Sequence, residues 1–328
     1  MNDAYFGKRV LVTGGLGFIG SNVVHRLVEL GADVRVIDSL LLGHGGTLEN
    51  LAGVVDEVDV SISDTRDMDQ MIHLVKDCDL VFSLAGQGSH SESMRDPLTD
   101  LSLNCQGQLT LLESLRRCNP DAKVVYSSTR QVYGRPEDIP VDERHPLNPV
   151  DANGIHKLAS EHYLSLYYEV FGIRSVILRL TNTYGPRMDL KNDSKGFLGT
   201  FIRKALTGET VCIFGDGSQI RDLNYVDDVV DAILLAGATE SINGKVFNLG
   251  HPEPVNLKQI VAILQTLLDF PSKLVPFPAE AKAVDIGDYC GEYSHFRSET
   301  NWEPRVSVEE GLYRTVEWYQ GFDSACAQ

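Results

Sequence analysis

Arg9-Val-Leu-Val-Thr13-Gly14-Gly15-Leu16-Gly17-Phe18-Ile19-Gly20-Ser21-Asn22 runs from a short apolar stretch into a segment with helical spacing, and a second apolar stretch, Val34-Arg-Val-Ile-Asp38, ends in an acid. Residues 10–12 have the unbroken hydrophobicity of a strand buried on both faces. Residues 22–30 carry apolar positions at helical intervals. Between them, Gly14 allows a tight turn, Gly17 lets backbone approach a pyrophosphate, and Gly20 lets helix and strand pack closely. The start of the helix presents free N–H groups and a partial positive charge to phosphates. A carboxylate closing the second strand accepts hydrogen bonds from ribose hydroxyls and repels a 2′-phosphate, so Asp38 selects NAD over NADP. Strand, glycines, helix, strand and acid follow one another within the length of one βαβ unit.

The rest of the first half repeats that alternation. Strands are expected at 8–13, 33–38, 57–60, 80–84, 123–127 and 175–180, with helices that include 97–118 and 153–171. The fold class is therefore α/β, a Rossmann-type doubly wound parallel sheet, and its ligands belong at the carboxyl ends of the strands. After 180 the alternation loosens. Helices are expected at 197–207, 226–237, 257–268 and 308–319, and strands at 211–214 and 246–249. This divides the chain into a cofactor domain, 1–180 plus 224–250, a smaller C-terminal α/β substrate domain, 181–223 plus 251–320, and a tail, 321–328.

Composition bounds the partners. The 328 residues are 43% hydrophobic and carry a net charge of −17. That balance argues against nucleic acid and against an anionic membrane surface, both of which need basic patches. Cys78, Cys105, Cys118, Cys212, Cys290 and Cys326 show no metal-ligand spacing, so no metal is expected. Reduced thiols and the lack of a secretory segment are read as cytoplasmic.

Three further segments carry chemistry. Hydroxyls crowd a strand end in Val124-Val-Tyr-Ser127-Ser128-Thr129-Arg-Gln-Val-Tyr133-Gly134. Asn153 and Lys157 share a helix face in Asn153-Gly-Ile-His156-Lys157. An arginine precedes an acid-rich helix entry in Arg221-Asp222-Leu-Asn-Tyr225-Val-Asp227-Asp228, whose two aspartates suit an N-cap.

With the glycine turn, the runs SLAGQ at 83–87, LRLTNTYGPR at 178–187, FGDGSQIRDLNYVDD at 214–228, FNLG at 247–250 and NWEPRVSVEEGL at 301–312 resemble the extended short-chain dehydrogenase/reductase family. The likeness is strongest to its NAD-dependent nucleotide-sugar epimerases and dehydratases of the UDP-glucose 4-epimerase type. It implies a nucleotide-activated sugar as substrate, transient hydride transfer through a keto-sugar, and net epimerisation. It places Gly14, Gly17, Phe18, Ile19 and Gly20 around the pyrophosphate and Asp38 on the adenosine ribose. Ser61, where the family usually has Asp, and Ile62 fall beside the adenine. Leu84, Ala85, Gly86, Asn104 and Ser127 line the middle of the cofactor, and Lys157 holds the nicotinamide ribose. Thr129 meets the reacting sugar oxygen. Gln87, His90, Asn182, Arg187, Arg221 and Asp288 fall on the substrate side. The resemblance also implies a homodimer through helices 97–118 and 153–171, with Leu101, Leu109, Leu112, Leu164 and Leu166 as contact residues. Tyr163, Tyr167 and Tyr168 read as packing residues on the second of these helices.

Two further positions depart from the family. Its helix opens with a tyrosine four residues before the lysine, the proton carrier of the reaction; here Asn153 stands there, and an amide neither gains nor loses a proton near pH 7. His90, His156, Tyr133 or Tyr184 could carry the proton instead, the substrate or water could relay it, or the site could bind without redox chemistry. Thr129, Asn153 and Lys157 remain the expected catalytic set, with Asn153 holding rather than ionising. The second departure is Asp285-Ile-Gly-Asp288, where relatives often read Arg-x-Gly-Asp and the arginine braces phosphate. Either Lys282 compensates, or Arg221 with a neighbour such as Arg187 holds the phosphates. A dehydratase is the weaker alternative, because Arg130 and Gln131 replace the Asp-Glu pair of such enzymes. A non-catalytic NAD or nucleotide-sugar binding protein is the other.

Overall fold

The computed structural model describes residues 2–192 and 196–326; residues 193–195 and the last two residues of the expected tail lie outside the described residues. The strands are β1 (Arg9–Thr13), β2 (Asp33–Asp38), β3 (Asp59–Ile62), β4 (Leu80–Ser83), β5 (Lys123–Thr129), β6 (Ser175–Leu180), β7 (Asn182–Tyr184), β8 (Val211–Phe214), β9 (Ile220–Arg221), β10 (Leu223–Tyr225), β11 (Val246–Asn248), β12 (Val255–Asn256) and β13 (Ser272–Val275). The helices are α1 (Asn2–Tyr5), α2 (Phe18–Glu29), α3 (Met68–Val75), α4 (His90–Arg95), α5 (Pro97–Leu101), α6 (Gly107–Cys118), α7 (Ala152–Phe171), α8 (Phe197–Leu206), α9 (Val226–Ala238), α10 (Leu257–Leu267), α11 (Ala279–Ala283), α12 (Ser294–Thr300) and α13 (Val308–Cys326).

Seven strands form one parallel sheet in the order β11-β6-β5-β4-β1-β2-β3. β1 lies between β2 and β4, so the winding direction reverses there and a crevice opens above the carboxyl ends of β1 and β4, where doubly wound sheets take their ligands. Val10, Leu11, Val12, Val81 and Phe82 are fully buried, which explains why these strands read as continuous apolar runs. One face packs against α2 and α9 through Val23, Val24, Leu27, Val229 and Ile233. The other packs against α3, α6 and α7 through Met71, Leu111, Leu115 and Leu164. β11 brings 246–248 to the sheet edge beside β6. A second core, with Phe201, Ile202, Ile260, Leu264 and Leu312, joins α8, α10 and α13.

β5 runs on to Thr129 rather than ending at 127, and three larger differences from the sequence reading stand out. β3 begins at Asp59, because 55–57 are spent on a short 3₁₀ turn; the register then sets Ser61 opposite Ile37 and Ile62 opposite Asp38. The helix expected over 97–118 is interrupted by a π-helical turn at Ser102–Gln106, around the buried Asn104. Such turns often mark functional positions. The last helix runs through Cys326 rather than stopping at 319, so the expected tail begins as helix; Gly321 alone, at about 1 kcal/mol, does not end it.

Candidate active site

The glycine turn is shaped by close backbone approach. Gly14 has φ of 71°, and a Cβ there would meet the Ala85 backbone at 2.8 Å. A Cβ on Gly20 would lie 2.1 Å from the Gly14 carbonyl oxygen. Thr13 locks the two sides of the crevice, its hydroxyl oxygen accepting the N–H groups of Leu84 and Ala85 at 3.1 Å each. Helix α2 starts at Phe18 behind Gly17, with no side chain capping its first turn. The N–H groups of Phe18 and Ile19 thus stand at an uncapped helix end suited to a phosphate.

Asp38 stands at the end of β2. Its carboxylate accepts the N–H of Leu16 at 3.1 Å and of Leu40 at 3.0 Å, tying strand to turn, and partial burial raises its pKa. Each oxygen keeps a further lone pair for a ribose hydroxyl. The pairing of β2 with β3 sets Ser61 and the exposed Ile62 beside it.

Beyond β4, Gly86 adopts φ of 155°, and a Cβ there would fall 2.3 Å from Asn104 Oδ1 and 3.4 Å from Lys157 Nζ. Asn104 clasps the next residue, accepting the Gln87 N–H at 3.1 Å and donating to the Gln87 carbonyl at 3.0 Å. Lys157 is 7% exposed. Its ammonium donates to the Ser127 carbonyl at 3.0 Å and lies 4.8 Å from the centre of the Tyr126 ring. Burial lowers its pKa to about 8, against the opposing pull of Asp100 and Glu161. Glu161 also receives the Ser128 hydroxyl and a two-pronged bond from Arg179 of β6, which sets α7 against the ends of β5 and β6. Thr129 closes β5, its hydroxyl accepting the Gln131 N–H at 3.2 Å.

Asn153 is 1% exposed and committed. Its amide donates to the Gln87 carbonyl at 2.7 Å and to Asp100 at 3.3 Å. The structure thus brings Asn153, Lys157, Asn104, Gln87 and Gly86 into one network, with Asn153 holding the loop after β4. Asp100 is the member that sequence reasoning missed; it is 1% exposed and also pairs with His156 at 2.7 Å. In the sequence it is an acidic residue in the first turn of a helix, where a carboxylate ordinarily complements the helix dipole.

The alternative proton carriers separate clearly. The Tyr133 hydroxyl is buried, donates to Asn248 and accepts from Arg179, each at 2.7 Å, and burial pushes its pKa up to about 12. Tyr184 is buried in the second core, its hydroxyl directed to the Val308 carbonyl. Both tyrosines are therefore structural. His156 is held against Asp100. His90 keeps a side chain 35% exposed, with Nδ1 3.0 Å from Asp151, although the pair is not aligned as a hydrogen bond. Asp151 is the N-cap of α7, accepting the Gly154 N–H at 2.7 Å.

On the substrate side, Arg221 donates to the carbonyls of Ile220 and Gly287 and pairs with Asp285 at 3.1 Å. Asn182 donates to the Asp222 carbonyl and receives Arg130 at 3.2 Å. Asp288 caps the Ile220 N–H at 2.8 Å. Arg187 is not brought to Arg221: it bonds Asn50 and Asn22 and braces α2 instead. Lys282 is exposed on α11 and makes no ion pair with this group. Asp228 does not cap α9; its carboxylate accepts the Val306 N–H at 3.0 Å and pins the C-terminal segment. Among the described residues there is no cluster of side chains able to hold a metal ion, and no helix is long and apolar enough to cross a membrane.

Comparison with known proteins agrees with this geometry. Residues 10–250 match the model of the NAD dependent epimerase/dehydratase family. The UDP-glucose 4-epimerase of Mycolicibacterium smegmatis is 32% identical over 95% of this chain and 98% of its own length. A UDP-N-acetyl-alpha-D-glucosaminuronate decarboxylase of Bacillus cytotoxicus is 29% identical over 97% of this chain and 99% of its own. The crystal structure of the Thermotoga maritima UDP-glucose 4-epimerase with UDP-glucose superposes with a TM-score of 0.88, at 35% identity, over 96% of this chain and 99% of that one. The glycine turn, the uncapped helix start and Asp38 fit the cofactor that the family requires, and the chain belongs to the NAD-dependent epimerase/dehydratase family of extended short-chain dehydrogenase/reductases.

Proposed function

We propose that this protein is a nucleotide-sugar epimerase, 4-epimerase-like, that acts through a transient keto-sugar. The observation that carries the reading is one cleft at the ends of β4, β5 and β6 with two kinds of group. The buried Lys157 stands beside Gly86 and bonds the Ser127 carbonyl, while Arg221 and Asn182 offer donors for an anionic head group. NAD held by the glycine turn and Asp38 would supply the hydride acceptor, and later the hydride donor, for a sugar carbon. Thr129 keeps its hydroxyl proton for the reacting sugar oxygen. The Lys157 ammonium stabilises negative charge developing there and binds ribose hydroxyls. Asn153 fixes the loop that carries Gln87 and moves no proton. His90 takes the proton of the sugar hydroxyl as the hydride leaves the same carbon and gives it back when the hydride returns, and Asp151 stabilises the imidazolium in between. Arg130 and Gln131, in place of an acidic pair, favour epimerisation over dehydration.

The same reading includes a homodimer. Leu112 and Leu164 are buried in this chain's own core, but Leu98, Leu101, Ile155, Leu166, Val170 and Phe171 form an exposed apolar face on α5 and α7. A dimeric mass in light scattering, lost in Ile155→Glu, is the expected result.

The deciding experiment incubates the NAD-loaded protein with UDP-glucose, UDP-galactose, UDP-glucuronate and dTDP-glucose. The expected result is transient absorbance of reduced NAD and an epimerised product that retains deuterium from the reacting carbon. His90→Gln should lower turnover by about 10²–10⁴, the usual share of general-base help, and leave substrate binding in place. Wild-type turnover in His90→Gln removes His90 from the mechanism. Binding of both ligands with no hydride movement across the panel leaves a binding protein instead.

A further inference from the structure

Arg130 is a buried cation on the substrate side that, like Lys157, makes no ion pair among the described residues. It is 8% exposed, and no carboxylate oxygen lies within 4.0 Å of its guanidinium among the described residues. Nη2 donates to Asn182 Oδ1, the group stands over the Tyr289 ring at 5.3 Å, and Nη1 is fully buried with no hydrogen-bond partner. A guanidinium carries five donors, and leaving one buried and unmade costs about 1–3 kcal/mol. Burial and the neighbouring charge of Arg221 bring its pKa down to about 10, so it remains charged at neutral pH. The carboxylate nearest in charge terms, Asp222, is fully buried, directs one oxygen to the Gly291 N–H and leaves the other unpartnered. Arg221, by contrast, is already neutralised by Asp285. Asp285, Asp288 and Asp222 all act on this pair of guanidinium groups, and what sets Arg130 apart is a buried donor that no protein group satisfies.

Resting on the nucleotide-sugar reading above, we propose that Arg130 is the second anchor for the substrate's diphosphate. It supplies from the end of β5 the positive charge that the loop at 285–288 does not. Asp285 neutralises Arg221, and Arg130 restores the balance from the neighbouring strand. Because Arg130 directly follows Thr129, the same short segment grips the diphosphate and meets the reacting sugar oxygen. A change in diphosphate position is thereby passed to the hydride site through one peptide unit. The guanidinium fits phosphate through paired donors, which a lysine at this position reproduces only as a point charge.

The test is calorimetric binding of UDP, CDP, dTDP and GDP, and then of UDP-glucose and UDP-glucuronate, to the NAD-loaded protein. Arg130→Gln should weaken the best nucleoside diphosphate about 10- to 100-fold, as expected for loss of a charged hydrogen bond, and weaken both UDP-sugars by the same factor. Arg130→Lys should fall between. Asp285→Arg should tighten binding in the wild-type background and recover most of the loss in Arg130→Gln; a merely structural role for Arg130 predicts no such rescue. The proposal is overturned if Arg130→Gln, folded by its melting curve, binds UDP as the wild type does. A loss confined to UDP-glucuronate also overturns it, assigning Arg130 to a sugar carboxylate. If the wild type binds none of the four diphosphates, the nucleotide-sugar reading falls with it. If Arg130→Gln does not fold, the Asp285→Arg single variant decides: binding no tighter than wild type counts against the proposal.

Discussion

The two walls of the crevice are built from different materials. Around 14–20 and 84–86 the backbone sets the shape: Gly14 against Ala85, Gly20 against the Gly14 carbonyl, and Thr13 receiving two N–H groups. Around 129–130, 182 and 221–222 the shape comes from charged side chains that meet across long sequence separations, Arg130 with Asn182 and Arg221 with Asp285. A backbone-built wall tolerates little change at a few positions. A wall built from side chains can exchange one charged group for another on a different strand. The departures at 153 and 285 lie on the second wall or at the junction between the two, while the one at Ser61 lies on the cofactor side, on the strand beside Asp38.

The largest effect is expected where both walls depend on one pair. Glu161 and Arg179 are both buried, and they set α7 against β5 and β6. Glu161→Ala strands the Arg179 charge, and removing one partner of a buried pair costs about 3–5 kcal/mol. Urea denaturation should show that loss. A cost below about 1 kcal/mol would mean that packing alone positions α7.

Gly20→Ala tests the backbone wall. Its Cβ, 2.1 Å from a carbonyl oxygen, forces the turn and α2 apart. Overpacking of this kind costs about 1–3 kcal/mol, and here it should appear as a roughly 10- to 100-fold loss of NAD affinity. Nucleoside diphosphate binding on the other wall should change little. At Gly17 the corresponding contact within the protein is 3.3 Å, so Gly17→Ala should cost less stability than Gly20→Ala, while its methyl still crowds the pyrophosphate. Unchanged NAD affinity in both variants would show that steric fit is not what sets it.

This division also explains what could be read from the chain beforehand. Glycines 14, 17 and 20 answer local steric demands a few residues apart, so their spacing alone announces a turn, a helix start and a dinucleotide. The apolar runs of β1, β4 and β5 are buried on both faces, and their order reveals the parallel sheet. Asp100 was not legible, because its role depends on Asn153 and His156, more than fifty positions away. Arg130 could be noticed as a departure from an acidic pair, but only the fold shows that it has no carboxylate and stands next to Arg221. The mid-helix π turn at Asn104 left no mark in the spacing of apolar residues.

Asn153→Tyr acts at the junction. The position is 1% exposed, and the amide serves Gln87 and Asp100. A tyrosine forfeits those bonds and must displace neighbours, at a cost of about 1–3 kcal/mol by overpacking. Turnover should not rise, because the loop that Asn153 holds is disturbed. A clear gain in turnover would show that the site still has room for a phenol and would displace His90 as proton carrier.

The last effect is a pH slope on the charged wall, which appears only as a change in stability with pH. Burial raises the Asp222 pKa from 3.8 to about 7. Between those values the folded protein holds a proton that the unfolded chain has released, so this group makes stability fall as pH rises from about 4 to 7. Below and above that window its contribution is flat. Asp222→Asn keeps the shape and removes the titration, so the difference in unfolding free energy between wild type and variant should grow across the window and then level off. Arg130 and Arg221 remain charged throughout it and cannot produce the slope. A difference that stays constant with pH would mean that Asp222 is ionised from the start and is itself the counter-ion of Arg130, which would leave the second wall neutral and the first as the only part of the crevice prepared for an anion.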